Sequence, residues 1–205
     1  MLTHPHQDHL AGLVEVLRRF QVKQVLYPDL AYDSSLYDDW LTLIEEQEIP
    51  ATTARTGQQI DMSNGITIKV FSPETTTLTS QDPDIDNSCL VLRLKNDDIS
   101  FLFTGDIRQE REWALIRQRA DLASTVLKAA HHGSDTSTTA EFLAAVNPQV
   151  VIISAGADNK FGHPGDEVLN RLAQTPGQEN VYRTDEQGTI EFIADGERLW
   201  VKTEE

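Results

Sequence analysis

The chain has 205 residues, a formal net charge of −16 and one cysteine, long enough for one α/β core and too short for two full domains. So acidic a molecule excludes long-range attraction of nucleic acid by its whole surface, and a polyanionic substrate has to be held locally by cations. The lone Cys89, in the apolar run Cys89-Leu90-Val91-Leu92, excludes an internal disulfide framework and reads as a buried small hydrophobe; with no apolar run of about 18 residues and no basic-plus-apolar leader, neither a membrane span nor a signal peptide is expected in these residues.

Three histidines and an aspartate open the chain, in Thr3-His4-Pro5-His6-Gln7-Asp8-His9. Leu10, Leu13, Val14, Leu17 and Phe20 then recur at helical spacing, with Asp8 where an N-cap would stand, which predicts a helix beginning on the histidine cluster. A strand is expected over 23–27, ended by Pro28, and an amphipathic helix over 35–47 with Leu36, Trp40, Leu43 and Ile44 on one stripe. Segments 58–62 and 66–71 flank Ser63-Asn64-Gly65, a hairpin signal. The polar stretch 72–87 reads as a loop. Strands follow at 89–94 and 99–104, joined by the turn-forming Asn96-Asp97-Asp98. Then come a helix over 107–119, a strand over 125–129, a helix over 138–146, a fully apolar buried strand over 150–154 and a helix over 165–174. Segments 180–183, 189–193 and 198–202 read as a closing meander. Paired strands alternating with helices suit two sheets flanked by helices in layers.

The opening histidines carry a specific chemistry. In an extended His4-x-His6 both imidazoles share one side and can chelate one ion, while Asp8 and His9 point toward a second position a few ångströms away. Imidazoles and carboxylates together suit borderline to hard divalent ions such as Zn²⁺ or Mn²⁺. A tag remnant would not place an aspartate among the histidines and run straight into an amphipathic helix. Phe101-Leu102-Phe103-Thr104-Gly105-Asp106 is a strand ending in a carboxylate that can bridge two cations, although Asp106 there can equally cap the next helix. Lys128-Ala129-Ala130-His131-His132-Gly133-Ser134 again runs from a strand into polar residues, and Asn159-Lys160-Phe161-Gly162-His163-Pro164 follows the strand at 150–154. All six histidines of the chain fall in these elements, so convergence on one site is the economical explanation.

Taken in order, His4-x-His6-x-Asp8-His9, Thr104-Gly105-Asp106, His131-His132-Gly133-Ser134 and Gly162-His163-Pro164 resemble the metallo-β-lactamase fold. The His-His-Gly-Ser and Asn-x-x-Gly-His-Pro pieces, with Asp86-Asn87-Ser88 and Tyr182-Arg183-Thr184-Asp185, resemble its branch found as the C-terminal domain of the competence protein ComEC. The resemblance implies an αββα sandwich, an α/β fold, with a dinuclear site at its edge. By position His4 and His6 would bind the first metal, Asp8 and His9 the second, Asp106 both, and His163 would be the last ligand. His131 and His132 would face the substrate or support the ligands, one of them being an alternative ligand. Asn87, Ser134 and Asn159 are expected to bind substrate.

There are two departures from the pattern. Relatives commonly have a histidine before the strand that begins here at Cys89, where this chain offers Asp84, Asp86 and Asn87; the first metal's third ligand is left open and harder ions, Mn²⁺ as well as Zn²⁺, are favoured. The branch also precedes its first motif with several strands, which predicts a metallo-β-lactamase-like domain over 1–205 that is truncated at its N-terminus.

The resemblance implies a dinuclear-metal-dependent hydrolase, a phosphodiesterase or nuclease acting on DNA during uptake. Asp8 would hold or deprotonate the attacking water, and His131 or His132 would steady the phosphate or protonate the leaving oxygen. The alternatives are a hydrolase of a small ester, lactone or thioester on the same site, and an inactive truncated remnant. The implied partners are a DNA or phosphodiester substrate and a membrane channel domain of a larger protein, which would hold this domain at the membrane, outside the cytoplasm.

Overall fold

A computed structural model describes residues 1–28, 30–73 and 84–204. The helix expected on the histidine cluster is α1 (Gln7–Arg19), which buries Leu10, Val14 and Leu17. Its N-cap is His6 rather than Asp8, and no side chain caps it. Asp8 lies within the first turn, where a carboxylate is favoured by the helix dipole. Strand β1 (Val25–Tyr27) and α2 (Ser35–Glu46) follow, and Tyr37, Trp40 and Ile44 of α2 pack with Leu10, Val14, Leu17 and Val25.

Next comes β2 (Ala51–Thr53), which pairs in parallel with β1. This strand was not expected, because three residues carry no readable period. The hairpin forms as β3 (Gln59–Asp61) and β4 (Ile66–Ser72), with Asn64 at φ 67° in its turn. Of the expected loop, 74–83 lie outside the described residues, and Asp86–Ser88 make one 3₁₀ turn. Then follow β5 (Val91–Asn96), β6 (Ile99–Phe103), α3 (Gln109–Arg117), β7 (Val126–Lys128), α4 (Ala140–Val146), β8 (Val150–Ile153), α5 (Asp166–Leu172), β9 (Val181–Arg183), the single-turn α6 (Thr184–Gln187), β10 (Ile190–Ala194) and β11 (Leu199–Thr203).

Strands β3 to β9 form one seven-stranded sheet in sequence order. It is antiparallel from β3 to β6 and parallel from β6 to β9. The expected closing meander does not form: β9 joins the large sheet beside β8, and β10 pairs only with β11 as a separate hairpin. The physical reason is Val181, whose side chain packs on the main core, whereas α6 breaks the chain before β10. Strand β8 is also not fully buried; Val151 and Ile153 face the core while Val150 and Ile152 are half-exposed.

One face of the large sheet, carrying Leu102, Leu127, Val151 and Ile153, is closed by Leu115 of α3, Phe142, Leu143 and Val146 of α4 and Leu172 of α5. On the other face Ile68, Val70, Leu90 and Leu92 meet Leu26 of β1 and Ala54. Val25, on the opposite side of β1, packs on α1 and α2. The layers therefore run helix, large sheet, small sheet, helix. Phe192 of β10 packs edge-on against Phe101 at 6.0 Å, and a cleft of about 440 Å³ remains between them, lined by Leu94, Phe103, Val126, Lys128 and Ile152.

The consequence for function lies at one edge. Strands β6, β7 and β8 are parallel, so the loops after them, carrying Asp106, His131-His132 and Asn159 to His163, emerge together, as loops at the carboxyl ends of parallel strands do. The start of β5 reaches the same edge, because Leu92 pairs with Phe103.

Candidate metal centre

The N-terminal segment is held in place before its histidines are used. Leu2 N donates to Leu26 O at 3.0 Å and Leu90 N donates to Thr3 O at 2.9 Å, so His4 is clamped between β1 and the start of β5 and is fully buried. Thr3 Oγ1 lies 3.2 Å from Nδ1 of both His4 and His9, which aims the Nε2 atoms of both rings at the same space.

Asp106 enters that space from the end of β6. Gly105 before it has φ +56°, and a Cβ there would lie 2.9 Å from Cys89 Cβ, so only glycine fits the turn. His131 N donates to Gly105 O at 3.1 Å and Gly165 N donates to Gly133 O at 2.9 Å, tying the three loops together. Gly133 has φ +78°, and a Cβ on it would lie 2.8 Å from Pro164 Cβ. The neighbouring His131 and His132 are also left-handed, at φ 50° and 55°, a strained arrangement of the kind that collects at functional sites.

Two groups of donor atoms result. His4, His6 and Asp86 form one, and Asp8, His9, Asp106 and His132 the other, with the donor atoms of each group within 4.8 Å of one another. Asp106 stands between them, its Oδ2 3.7 Å from His4 Nε2 and 3.3 Å from His132 Nε2, and its Oδ1 3.2 Å from His9 Nε2. Asp86 completes the group that the sequence left open. Its Oδ2 is bonded by Arg108 Nη2, and its Oδ1 is turned to His6 Nδ1 at 3.4 Å.

His163 belongs to neither group. Its ring lies 5.7 Å from that of His131 and stacks at 6.0 Å on Phe161, in the wall of the cavity. His132 stands where the last ligand was expected from His163. Its Nδ1 donates to Ser154 O at 2.7 Å, which leaves Nε2 facing Asp106 and, at 3.1 Å, Asp8. The ring of His131 lines the cavity, and its buried Nδ1 has no hydrogen-bond partner among the described residues.

Of the three expected substrate contacts, only Asn159 lines the cavity. Even there, its Oδ1 accepts from Phe161 N and His163 N, and its Nδ2 donates to Gly156 O and His163 O. Asn87 is buried; its Nδ2 donates to Asp84 and its Oδ1 accepts from Arg108 N, so it braces the Asp86 turn. Ser134 is buried with its hydroxyl 2.9 Å from Thr136 Oγ1. Sequence reasoning missed Thr3, Arg108 and Ser154; a backbone carbonyl such as that of Ser154 leaves no signal in residue identity.

The electrostatics are those of a site built for cations. Burial and then the charge of His9 lower His4 to about 3. Asp8 is lowered to about 2, chiefly by the hydrogen bond from His132. Burial would raise Asp106, but hydrogen bonds from His132 and His9 hold it far below the usual carboxylate range. Asp86 Oδ1 is buried without a hydrogen-bond partner among the described residues, a costly state for a carboxylate unless a cation satisfies it. The nitrogens of His4 and His6 approach to 3.0 Å, and those of His9 and His132 to 3.1 Å, so each pair of rings converges on one point. These donors fit two divalent ions, one per group, and their mixture of imidazole and carboxylate suits Zn²⁺ or Mn²⁺.

A family model described as the metallo-beta-lactamase superfamily matches residues 1–157. The chain belongs to this superfamily. It is 31% identical to the ComE operon protein 3 of Bacillus subtilis (strain 168) over 94% of this chain and 24% of that protein. It is 37% identical to the competence protein ComA of Neisseria gonorrhoeae over 53% of this chain and 16% of that one. Both agree with the ComEC-like resemblance of the motifs, and this chain spans a quarter or less of either relative's length. Among solved structures, CmlA, a diiron beta-hydroxylase from Streptomyces venezuelae, shares the fold with a TM-score of 0.57 and 14% identity, over 88% of this chain and 42% of that one. No helix among the described residues is long and apolar enough to cross a membrane.

Proposed function

We propose that this member of the metallo-beta-lactamase superfamily is a dinuclear-metal-dependent phosphodiesterase, a nuclease of the ComEC-like type that acts on DNA during uptake. The observation that carries the reading is the pair of donor groups meeting at Asp106 beside a cavity of about 740 Å³. His4, His6 and Asp86 would hold one ion, and Asp8, His9 and His132 the other, with Asp106 reaching both. When bound, the ions supply Lewis-acid polarisation of the phosphoryl group and a nucleophile at neutral pH.

The protein's own groups do the rest. Asp8, Asp86 and Asp106 make the cavity negative, so it repels a phosphodiester until divalent ions reverse its sign. Asp8, the exposed carboxylate of its group, would accept the proton of the attacking water. His131, on the wall of the cavity beside His163, donates to a phosphate oxygen or to the leaving oxygen. The relatives are several times longer than this chain, and the ComEC-like resemblance implies a membrane channel that would deliver the strand and hold this domain outside the cytoplasm.

The test is degradation of single-stranded DNA by the purified chain with Mn²⁺ or Zn²⁺, against Asp106→Ala and His6→Ala. Metal-dependent cleavage abolished by either substitution supports the reading; cleavage that survives both, or a preference for a lactone or thioester over DNA, overturns it.

A further inference from the structure

Phe161 is the most exposed large apolar side chain among the described residues, at 70%, yet it is not at a chain end or on a remote surface. It lines the same cavity as Asp8, Asp86 and Asp106. Its ring stacks on that of His163 at an interplanar angle of 19°, and most of it stays open to solvent. The loop that presents it is braced: Asn159 Oδ1 accepts from Phe161 N at 3.2 Å and from His163 N at 2.9 Å, while Gly162 turns between them at φ +70°. Lys160 Nζ stands 5.2 Å from the ring centroid. An aromatic ring on a braced loop is thus open to water at the edge of the candidate metal centre, with the Lys160 ammonium over it.

We propose that Phe161 is a stacking platform for an unpaired nucleobase flanking the scissile phosphodiester. The inference rests on the phosphodiesterase reading and narrows its substrate to a single-stranded nucleic acid. The charge balance favours it: with a net charge of −16 the surface cannot gather a strand by long-range attraction, whereas stacking on an aromatic ring is independent of net charge and tolerant of sequence. A base inside a duplex has its faces covered by neighbouring pairs and is not available to Phe161, so the platform selects single strands. Lys160 is placed to meet the phosphate next to the stacked base.

The probes are a twelve-residue oligothymidylate carrying one 2-aminopurine and an abasic oligomer of the same length, each with the Mn²⁺-loaded full chain, wild type, Phe161→Ala and Phe161→Trp. In the wild type, 2-aminopurine fluorescence should be quenched on binding. Phe161→Ala should lose the quench and weaken the base-bearing oligomer by about five- to a hundredfold more than the abasic one, while Phe161→Trp retains both. Equal weakening of the two oligomers, no weakening, or no binding by the wild type overturns the proposal. Phe161-dependent quenching without cleavage removes the hydrolase reading and leaves the platform standing; cleavage that Phe161→Ala does not alter does the reverse.

Discussion

His132 Nε2 stands 3.3 Å from Asp106 Oδ2, joining residues 26 positions apart in the sequence through the parallel pairing of β6 and β7. The same ring is locked from behind by Ser154 O at the end of β8. Three neighbouring strand ends thus set one imidazole against one carboxylate, and the proposed metal centre depends on that contact.

Asp106 belongs to the group of Asp8, His9 and His132 and stands 3.7 Å from His4 of the other, so Asp106→Ala should cost more than the 10–100-fold in metal affinity typical of supporting residues. Metal analysis of the dialysed protein is expected to fall from about two ions per chain to one or fewer. Two tightly held ions in the variant would refute the bridging role.

Removal of metal has a pH signature. In the metal-free chain, hydrogen bonds to Asp106 and then Asp8 raise His132 to about 10, so the ring is protonated at neutral pH. The folded value lies above the ordinary one near 6.5, so this contribution to stability is complete below about 6.5 and fades as pH rises through about 10. In EDTA the wild-type Tm should therefore fall over that window more than that of His132→Gln. Metal uptake at neutral pH should also release a proton, measurable by calorimetry in buffers of different ionisation enthalpy. Identical pH dependence of the two proteins would remove His132 from this role.

Arg108 does not face the metal groups itself but fixes Asp86 through Oδ2, leaving Oδ1 for the group of His4 and His6. Arg108→Ala is expected to weaken one of the two ions by about 10–100-fold and leave the other nearly unchanged. Competition with a chromophoric chelator resolves the two sites, and equal weakening of both would count against the brace.

Gly133 sits at φ +78°, with Pro164 where a Cβ would go. Gly133→Ala should destabilise the fold by roughly 1–3 kcal/mol, from backbone strain and the displaced loop, and should weaken the ion held by His132. Thermal unfolding of the metal-free and metal-loaded variant separates the two effects. An unchanged Tm in both would mean that the loop does not need glycine there.

The amphipathic stripes of α1 and α2, the hairpin β3–β4 and the strand-ending motifs were legible because each is a local pattern: periodicity reports which side of an element faces the core. The grouping of all six histidines at the start of α1 and in the loops after β7 and β8 was legible for a similar reason. Histidine is uncommon, and no core packing requires it at those spacings. Strand β2 escaped because Ala51-Thr52-Thr53 has neither length nor alternation. The closing meander was misread because its three segments carry strand signals that do not name their partners, and β9 pairs with β8 instead.

The amino-acid sequence by itself determined the superfamily, most of the elements and the histidines and aspartates gathered at the site, since these follow from residue type, spacing and local period. The tertiary structure alone decided the parts those residues take: Asp86 beside His4 and His6, His132 rather than His163 next to Asp106, Asn87 and Ser134 as internal braces, and Phe161 exposed at the rim. Those assignments depend on donor atoms converging within a few ångströms from segments as far as 123 residues apart, and on which backbone carbonyl orients a ring nitrogen. Neither quantity is encoded in any one stretch of chain.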